Sequence, residues 1–355
     1  MFSLTNEQRR CFALKPISST SSCVEAKPSP HDDRRTLLYL DGDTVVKCIT
    51  LDDNFYNEYE LCEKVTPDRK YLLPKTGKGK PVPLTAANIQ KRPSLGMTLV
   101  YSSDYIDLFN AKTDCAYYNN RYLNEKIGDI SGFASWVENW CSETTDVDLN
   151  DLARFADKKR RHISFHEGDV FRFKISRRTY GYGRVLLDYN KMRKNKEPFW
   201  DILMMKPVVC SVYHILTDRA DVSIEELNSL ASLPSTIIAD NALYYGEFEI
   251  IGNLPITDRE DYPVMYGNSR SALRRHTLCY QCGKDYRTLE NEPELFFGFV
   301  PGVSFGLNFK ADVLRRCIEE NSNAPYWASP HTADYDLRSP KNAERLQKIR
   351  MQFGL

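Results

Sequence analysis

Alternating apolar and polar positions divide the first part of the chain into short strands. Strands are predicted at residues 36–41 and 44–50, on either side of the dipeptide Asp41-Gly42. This dipeptide indicates a hairpin, because glycine accepts the positive φ that a tight two-residue turn requires. The same alternation predicts strands at residues 55–63, 70–73, 95–101, 105–110 and 115–123. The first part of the chain is therefore expected to form an antiparallel, meander-like sheet.

Two amphipathic helices are predicted to follow this sheet. The first has apolar residues at positions 133, 136, 137, 140 and 141, a spacing that places them on one helical face. Thr145 and Asp148 form a helix-entry box for the second. Four cations at positions 158–161 end this helix, where they complement its dipole and remain solvated. We place a domain boundary there, which gives domains at residues 1–160 and 161–355.

Residues 166–187 have the pattern of a hairpin with two different faces. Positions 171, 173 and 175 are apolar and alternate with polar positions, as in a half-buried strand. In the returning strand, Gly181 and Gly183 share one face, and Tyr180, Tyr182 and Arg184 share the other. Glycines at alternate positions of a strand mark a bulge, a bend or a close neighbour. We therefore expect this sheet to curl like a barrel.

The rest of the chain continues the mixed pattern. Strands are predicted at residues 198–205, 208–216 and 243–251, and the last of these would make Tyr245 a cross-strand neighbour of the Tyr180 row. Ser223 and Glu226 form a capping box, and a further amphipathic helix is predicted around residues 313–318. The predicted fold class is α+β with mainly antiparallel sheets. Its C-terminal sheet is expected to be curled and barrel-like, with peripheral helices.

Four sequence blocks in the second domain resemble a known family. They are GDVF at 168–171, YGYGRV at 180–185, YG at 245–246 and IIGNLP at 250–255. In this order and spacing they resemble the immunity protein 26 family of bacterial polymorphic toxin systems, over about residues 163–265. The resemblance implies a non-enzymatic protein without a cofactor that neutralises a cognate protein toxin by stoichiometric binding and steric occlusion.

Composition limits the other classes of partner. The 48 basic and 48 acidic residues cancel, so the net charge favours neither nucleic acid nor an anionic membrane as a partner. No segment has the apolar core of a signal peptide or the 18 apolar residues typical of a membrane span. A cytoplasmic protein is the expectation, and its ten scattered cysteines are expected to be reduced.

No catalytic or metal-binding constellation stands out. Cys279, Cys282 and His276 have a spacing that metal ligands use, but a closed zinc site needs about four ligands. Two ordinary thiols on a strand are the default interpretation, and no metal is predicted. Asp169 and Asp188 bracket the hairpin, where carboxylates bond nearby backbone N–H groups more often than they act as an acid–base pair.

The candidate partner-binding residues are Tyr180, Tyr182, Arg184 and Tyr245. Tyrosine and arginine anchor protein interfaces, which favours a protein-contact surface. Three alternatives remain open. The side chains could pack beneath a neighbouring element, the row could stack single-stranded nucleic acid on a β-barrel, or the chain could be an uncharacterised hydrolase whose site assembles only in space.

Overall fold

The computed structural model describes residues 2–29, 32–201, 203–268, 277–290, 298–300 and 302–355. The chain divides into two compact units, Met1–Arg161 and His162–Leu355. Both units combine antiparallel sheets with helices, so the predicted α+β class with several antiparallel sheets is confirmed. Among the described residues, no helix is long and apolar enough to cross a membrane.

The first unit is built on a seven-stranded antiparallel sheet. Its strands are β1 (Ser22–Glu25), β2 (Arg35–Asp41), β3 (Thr44–Asp52), β4 (Phe55–Lys64), β7 (Leu95–Ser102), β8 (Tyr105–Asn110) and β9 (Cys115–Asn119), in that spatial order. A separate two-stranded hairpin, β5 (Tyr71–Leu72) and β6 (Val82–Pro83), interrupts the sequence between β4 and β7. The helices are α1 (Asn6–Arg10), α2 (Ala86–Ile89), α3 (Ile130–Ser142) and α4 (Asp146–Ala156). The predicted meander is therefore correct.

Local signals position several of these elements. Asp41 pairs with Thr44, and Gly42 between them has a φ of +61°, as the sequence predicted for this turn. Thr145 caps α4 through a complete capping box with Asp148. The four cations at positions 158–161 follow the helix in a segment without regular secondary structure and do not form its last turn.

The two faces of the seven-stranded sheet pack differently because side chains alternate along each strand. One face carries Met97, Leu99 and Tyr101 and packs against α3, with the Tyr101 ring stacked 4.6 Å from that of Phe133. The opposite face carries Leu38, Leu40, Cys48, Tyr59 and Leu61 in a second core with α2. That second core covers only part of its face.

A buried ion cluster lies within the first unit. Glu58 on β4 has no exposed surface, and its Oε1 accepts from Arg9 Nε at 2.7 Å and Lys47 Nζ at 2.6 Å. Its Oε2 accepts from the Tyr56 hydroxyl at 2.5 Å. Arg9 belongs to α1 and is only 3% exposed, so this cluster fixes the N-terminal segment to the sheet.

The second unit contains a five-stranded and a three-stranded antiparallel sheet. The first is formed by β13 (Thr236–Ala239), β12 (Pro207–Val212), β11 (Tyr180–Asp188), β10 (Asp169–Lys174) and β14 (Glu249–Asn253), in that spatial order. The second is formed by β15 (Val264–Asn268), β16 (Thr277–Cys282) and β17 (Asp285–Glu290). The helices are α5 (Tyr189–Asn195), α6 (Ile224–Asn228), α7 (Asn241–Tyr244), α8 (Ala311–Glu319), α9 (Ala324–Trp327), α10 (Pro330–Tyr335) and α11 (Ala343–Gln352), with a 3-10 turn at Pro340–Asn342.

The predicted barrel-like curl is wrong. In the described parts of the chain, no sheet closes or curls into a barrel, and β13 and β14 are the two edges of the five-stranded sheet. Gly181 and Gly183 do not mark a bend of the sheet. Each lies under a phenylalanine ring of the neighbouring strand. Alternate glycines here make room for aromatic rings and do not bend the sheet into a cylinder.

Two predicted strands of the second unit also need correction. Residues 198–201 and 203–205 form no strand. They belong to a loop in which Trp200 and Leu203 are buried, at 1% and 3% exposure, whereas Met204 and Met205 are exposed. The Trp200 backbone N–H donates to Gln281 Oε1 at 2.8 Å. The predicted strand at 243–251 begins in helix α7 and turns at Gly246, whose φ is +76°, so only its last part is strand.

Candidate partner-binding site

The β10–β11 hairpin is held together by phenylalanine rings that lie over glycines. In the antiparallel register, Phe171 pairs with Gly183 and Phe173 pairs with Gly181. The Phe171 ring also stacks on Phe248, with ring centroids 5.0 Å apart. A ring can lie directly on the backbone of the opposite strand only where that strand has no side chain. The glycine spacing in this block is therefore a packing requirement.

Replacing Gly183 by alanine is expected to destabilise the second unit by about 1–3 kcal/mol, the usual cost of overpacking. A Cβ added there would lie 2.5 Å from Phe171 Cζ and 2.5 Å from the Ser211 carbonyl oxygen, which is backbone. Urea denaturation measures the change. Gly302→Ala is the control, because no atom of the described residues lies within 4 Å of a Cβ there. Equal midpoints for the two variants would contradict the packing argument.

Tyr182 lies on the opposite face of β11, and that face is also covered. Its side chain has no exposed surface and packs in a core with Val170, Tyr213, Val222 and Leu227. Its hydroxyl donates to the Arg219 carbonyl oxygen at 2.7 Å, and burial raises the pKa of the phenol. Tyr182 therefore packs beneath neighbouring elements, which is one of the alternatives that the sequence left open.

Arg184 is also buried, at 9% exposure, and it holds the segment that follows β14. Its Nη2 donates to the carbonyl oxygens of Leu254 at 3.0 Å and Pro255 at 2.6 Å. The same nitrogen lies 3.1 Å from Glu260 Oε1, and both side chains of this ion pair are largely buried. Sequence reasoning missed Glu260, because nothing near it in the chain indicates a partner 76 residues away.

Tyr180 lies at the partly exposed end of this row, among cations. The Arg172 guanidinium lies 5.5 Å from the centroid of its ring, and the Lys174 ammonium lies 6.0 Å from it. Arg172 also donates to Glu249 Oε2 at 2.7 Å and to the Ala220 carbonyl oxygen. This aromatic and charged edge is the part of the predicted row that remains accessible.

Tyr245 does not lie across a strand from Tyr180, as the sequence suggested. It is the C-cap residue of α7, and its backbone N–H donates to the Asn241 carbonyl oxygen at 2.9 Å. Its half-buried ring lies 5.1 Å from the Tyr244 ring and 5.9 Å from the His162 ring. Tyr245 therefore belongs to a separate aromatic group of the same unit.

The two aspartates that bracket the hairpin have structural partners. Asp169 Oδ2 accepts from the backbone N–H of His166 at 2.7 Å, and its Oδ1 accepts from Asn253 Nδ2 at 2.8 Å. Asp188 is the N-cap of α5 and accepts from the Asn190 backbone N–H at 2.9 Å. Burial raises the pKa of Asp188. Each carboxylate acts on backbone or amide groups beside it, as the sequence analysis expected.

The two cysteines of the CxxC motif point away from each other. Both lie in β16 three positions apart, and residues separated by three positions in a strand face opposite sides of the sheet. Cys279 Sγ lies 3.6 Å from the Tyr286 hydroxyl, and Cys282 Sγ lies 4.0 Å from the Tyr262 carbonyl oxygen. Among the described residues, no group of three or more potential ligands could hold a metal ion. His276 lies outside the described residues.

The hairpin and the segment held by Arg184 fall within a single family match. The family model described as immunity protein 26 matches residues 166–275. The predicted family is confirmed for this part of the chain. The immunity protein 26 match covers the whole five-stranded sheet and β15, and it leaves out the first unit and the C-terminal helices. No curated protein and no solved structure matches the chain.

Proposed function

We propose that the protein neutralises a cognate bacterial toxin by stoichiometric binding through its second unit. The observation that carries this proposal is the immunity protein 26 match over residues 166–275, which includes every strand of the five-stranded sheet. A protein that acts by occluding a surface needs a rigid scaffold and a few accessible anchoring side chains. The buried rings and the ion pair of Arg184 supply the rigidity.

We assign different roles to the four candidate residues. Tyr180 and Tyr245 have accessible surface and would contact the toxin directly, because partly exposed tyrosines offer a large contact area at low entropic cost. Tyr182 and Arg184 would support the contact surface by holding the loops at Arg219 and at Leu254. The cations around Tyr180 would favour an acidic group of the toxin at this edge.

Co-expression with the toxin encoded beside this protein tests the proposal. The intact protein is expected to protect cells and to co-purify with the toxin. Tyr180→Ala combined with Tyr245→Ala is expected to weaken toxin binding by about 30-fold or more, since truncating an anchoring aromatic residue costs at least about 1 kcal/mol and the two losses together come to about 2 kcal/mol. Calorimetric titration of the toxin with purified variants measures the loss.

Tyr335→Ala is the matched control, because Tyr335 is a 70% exposed tyrosine in helix α10 of the same unit. It is expected to bind the toxin as the parent does. Equal affinity of the double variant and the control would contradict the assignment of Tyr180 and Tyr245. Failure of the parent protein to protect cells would contradict the immunity function for that toxin.

The burial of Tyr182 bears on the nucleic-acid alternative. Base stacking requires an accessible ring face, and the Tyr182 ring has none in this fold. Arg184 is likewise occupied by two carbonyl oxygens and a carboxylate. The Tyr180–Arg184 row therefore offers at most one accessible ring, which favours a protein contact.

A further inference from the structure

Large apolar side chains are exposed on the second unit beside the start of strand β12. Met204 and Met205, in the loop that leads into β12, are 78% and 43% exposed. Phe305 is 68% exposed. Single exposed apolar residues are common on protein surfaces, but several that lie together among charged residues mark a contact site. We call these three residues the methionine patch.

Backbone hydrogen bonds bring Phe305 to the same end of the sheet as the two methionines. The Ala239 N–H donates to the Ser304 carbonyl oxygen at 2.8 Å, and the Asp240 N–H donates to the Lys206 carbonyl oxygen at 3.1 Å. Ala239 and Asp240 are consecutive residues. The segment that carries Phe305 and the loop that carries the methionines are therefore bonded to adjacent positions of the chain.

The methionine loop has a fixed backbone. Arg193 on α5 donates from Nη1 to the Met205 carbonyl oxygen at 3.2 Å and from Nη2 to the Leu203 carbonyl oxygen at 3.1 Å. Met205 has a φ of +67°, in the left-handed region that non-glycine residues rarely adopt. Such conformations persist where the surrounding structure holds them, and they are common at contact sites. The exposure of the methionines is therefore a built feature of the loop.

Basic side chains surround the methionine patch. In the described part of residues 191–206, five basic residues are exposed and Asp201 is the one exposed acidic residue. The five are Lys191, Arg193, Lys194, Lys196 and Lys206. Lys191, Lys194 and Lys196 form no ion pair with the described residues. The chain as a whole is neutral, so this is a local concentration of positive charge.

The two carboxylates closest to these cations offer little charge to the surface. Asp240 is 7% exposed, and its Oδ2 lies 4.0 Å from Lys206 Nζ. Asp188 is half-buried and caps α5. Burial raises the pKa of both carboxylates, while the charge of Lys194 acts to lower it. The accessible surface around the methionine patch is therefore positive.

The composition of this surface distinguishes between two classes of partner. Protein interfaces are enriched in arginine and aromatic residues and depleted in lysine. Here four of the five cations are lysines, and two of the three apolar side chains are methionines. Lysine clusters beside exposed apolar side chains are typical of surfaces that bind anionic lipid headgroups, because the apolar groups enter the boundary of the acyl layer. The charge and the exposed apolar groups favour a lipid surface.

We propose that the methionine patch and its lysines bind the surface of an anionic phospholipid membrane. The three apolar side chains enter the interfacial layer, and the lysines contact the headgroup phosphates. Each cation contributes about fivefold to the affinity, so binding is peripheral and reversible. Val208 at the start of β12 pairs with Asp188, at the opposite end of β11 from Tyr180. Membrane binding is therefore independent of the toxin contact proposed at Tyr180.

Co-sedimentation of the full chain with lipid vesicles tests this surface. The protein is expected to bind vesicles of phosphatidylcholine mixed with phosphatidylglycerol, to ignore vesicles of phosphatidylcholine alone, and to dissociate at high salt, which screens the charges. Lys194→Gln combined with Lys196→Gln is expected to weaken binding at least about tenfold. Met204→Ser is expected to weaken it at least about fivefold, because it removes apolar area that the membrane would bury.

The matched controls are Lys341→Gln combined with Lys348→Gln, and Met351→Ser. Both lysines are exposed in or beside α11, and Met351 is 62% exposed in the same helix. The controls should bind the mixed vesicles as the parent does. The proposal is overturned if the parent binds neither vesicle type or both equally, or if the patch variants bind as their controls do. A patch variant that leaves vesicle binding unchanged but weakens toxin binding would also overturn it, and would identify a protein contact.

Discussion

Replacing Glu58 by alanine is expected to destabilise the first unit by about 3–5 kcal/mol, because removal of one partner leaves buried charges uncompensated. Arg9 and Lys47 are 3% and 2% exposed, and both direct their cationic groups at the Glu58 carboxylate. Without it, two cations would remain in the interior beside the Tyr56 hydroxyl. Urea denaturation monitored by far-UV circular dichroism measures the loss.

The matched control is Glu25→Gln. Glu25 also pairs with an arginine, Arg35, but both side chains are about half exposed, so solvent screens the pair. A much smaller change is expected. If Glu58→Ala and Glu25→Gln shift the midpoint equally, the buried cluster does not stabilise the fold in this way.

The same cluster predicts a pH dependence. Burial acts to raise the pKa of Glu58, but the hydrogen bond from Arg9 and the charge of Lys47 outweigh it and hold the pKa below its usual range. Because the folded-state pKa is depressed, this contribution is fully present above the unfolded-state value of about 4.3. It is lost as the pH falls through the folded-state pKa. The free energy of unfolding of the parent protein should therefore fall in acid. In Glu58→Gln, the part of this fall that comes from Glu58 should be absent.

We also propose that the two compact units are separate domains, which the Glu58 variant can test. If Met1–Arg161 and His162–Leu355 unfold independently, Glu58→Ala should shift only one of two calorimetric transitions. A single transition that moves as a whole would instead indicate one cooperative unit.

Replacing Arg184 by methionine is expected to destabilise the second unit by about 3–5 kcal/mol. Methionine keeps much of the side-chain volume but leaves the Glu260 carboxylate, which is 13% exposed, without its cation. It also frees the carbonyl oxygens of Leu254 and Pro255 from their donor. Chemical denaturation measures the change, and reduced protection from the toxin is expected as a consequence of the loosened loop.

Arg219→Met is the matched control, since Arg219 is an exposed arginine of the same unit that pairs with the exposed Glu226. A much smaller loss of stability is expected there. The double variant Arg184→Met with Glu260→Met should recover part of the stability, because it removes both charges together. Arg184→Met unfolding at the same denaturant concentration as Arg219→Met would contradict the buried-pair argument.

Local sequence patterns predicted most elements of the first unit correctly. Examples are the Asp41-Gly42 turn, the strands around it and the capping box at Thr145. Each depends on residues that are close in the chain, so a few consecutive positions are enough to predict it. The strands β10 and β11 were also predicted correctly, because apolar or glycine positions alternate with polar or tyrosine positions along them. The family blocks at 168–255 were likewise sufficient to indicate the immunity protein 26 match.

The sequence by itself determined which residues form the hairpin and which face of it each side chain occupies. Only the tertiary structure decided which of those faces meets solvent. Tyr182 and Arg184 have the pattern of an exposed polar row, but the loops that cover them come from 37 and 70 residues away. Alternation in a strand fixes the side a residue faces, whereas burial depends on what packs there, and a tyrosine or arginine tolerates burial when its polar atoms find partners.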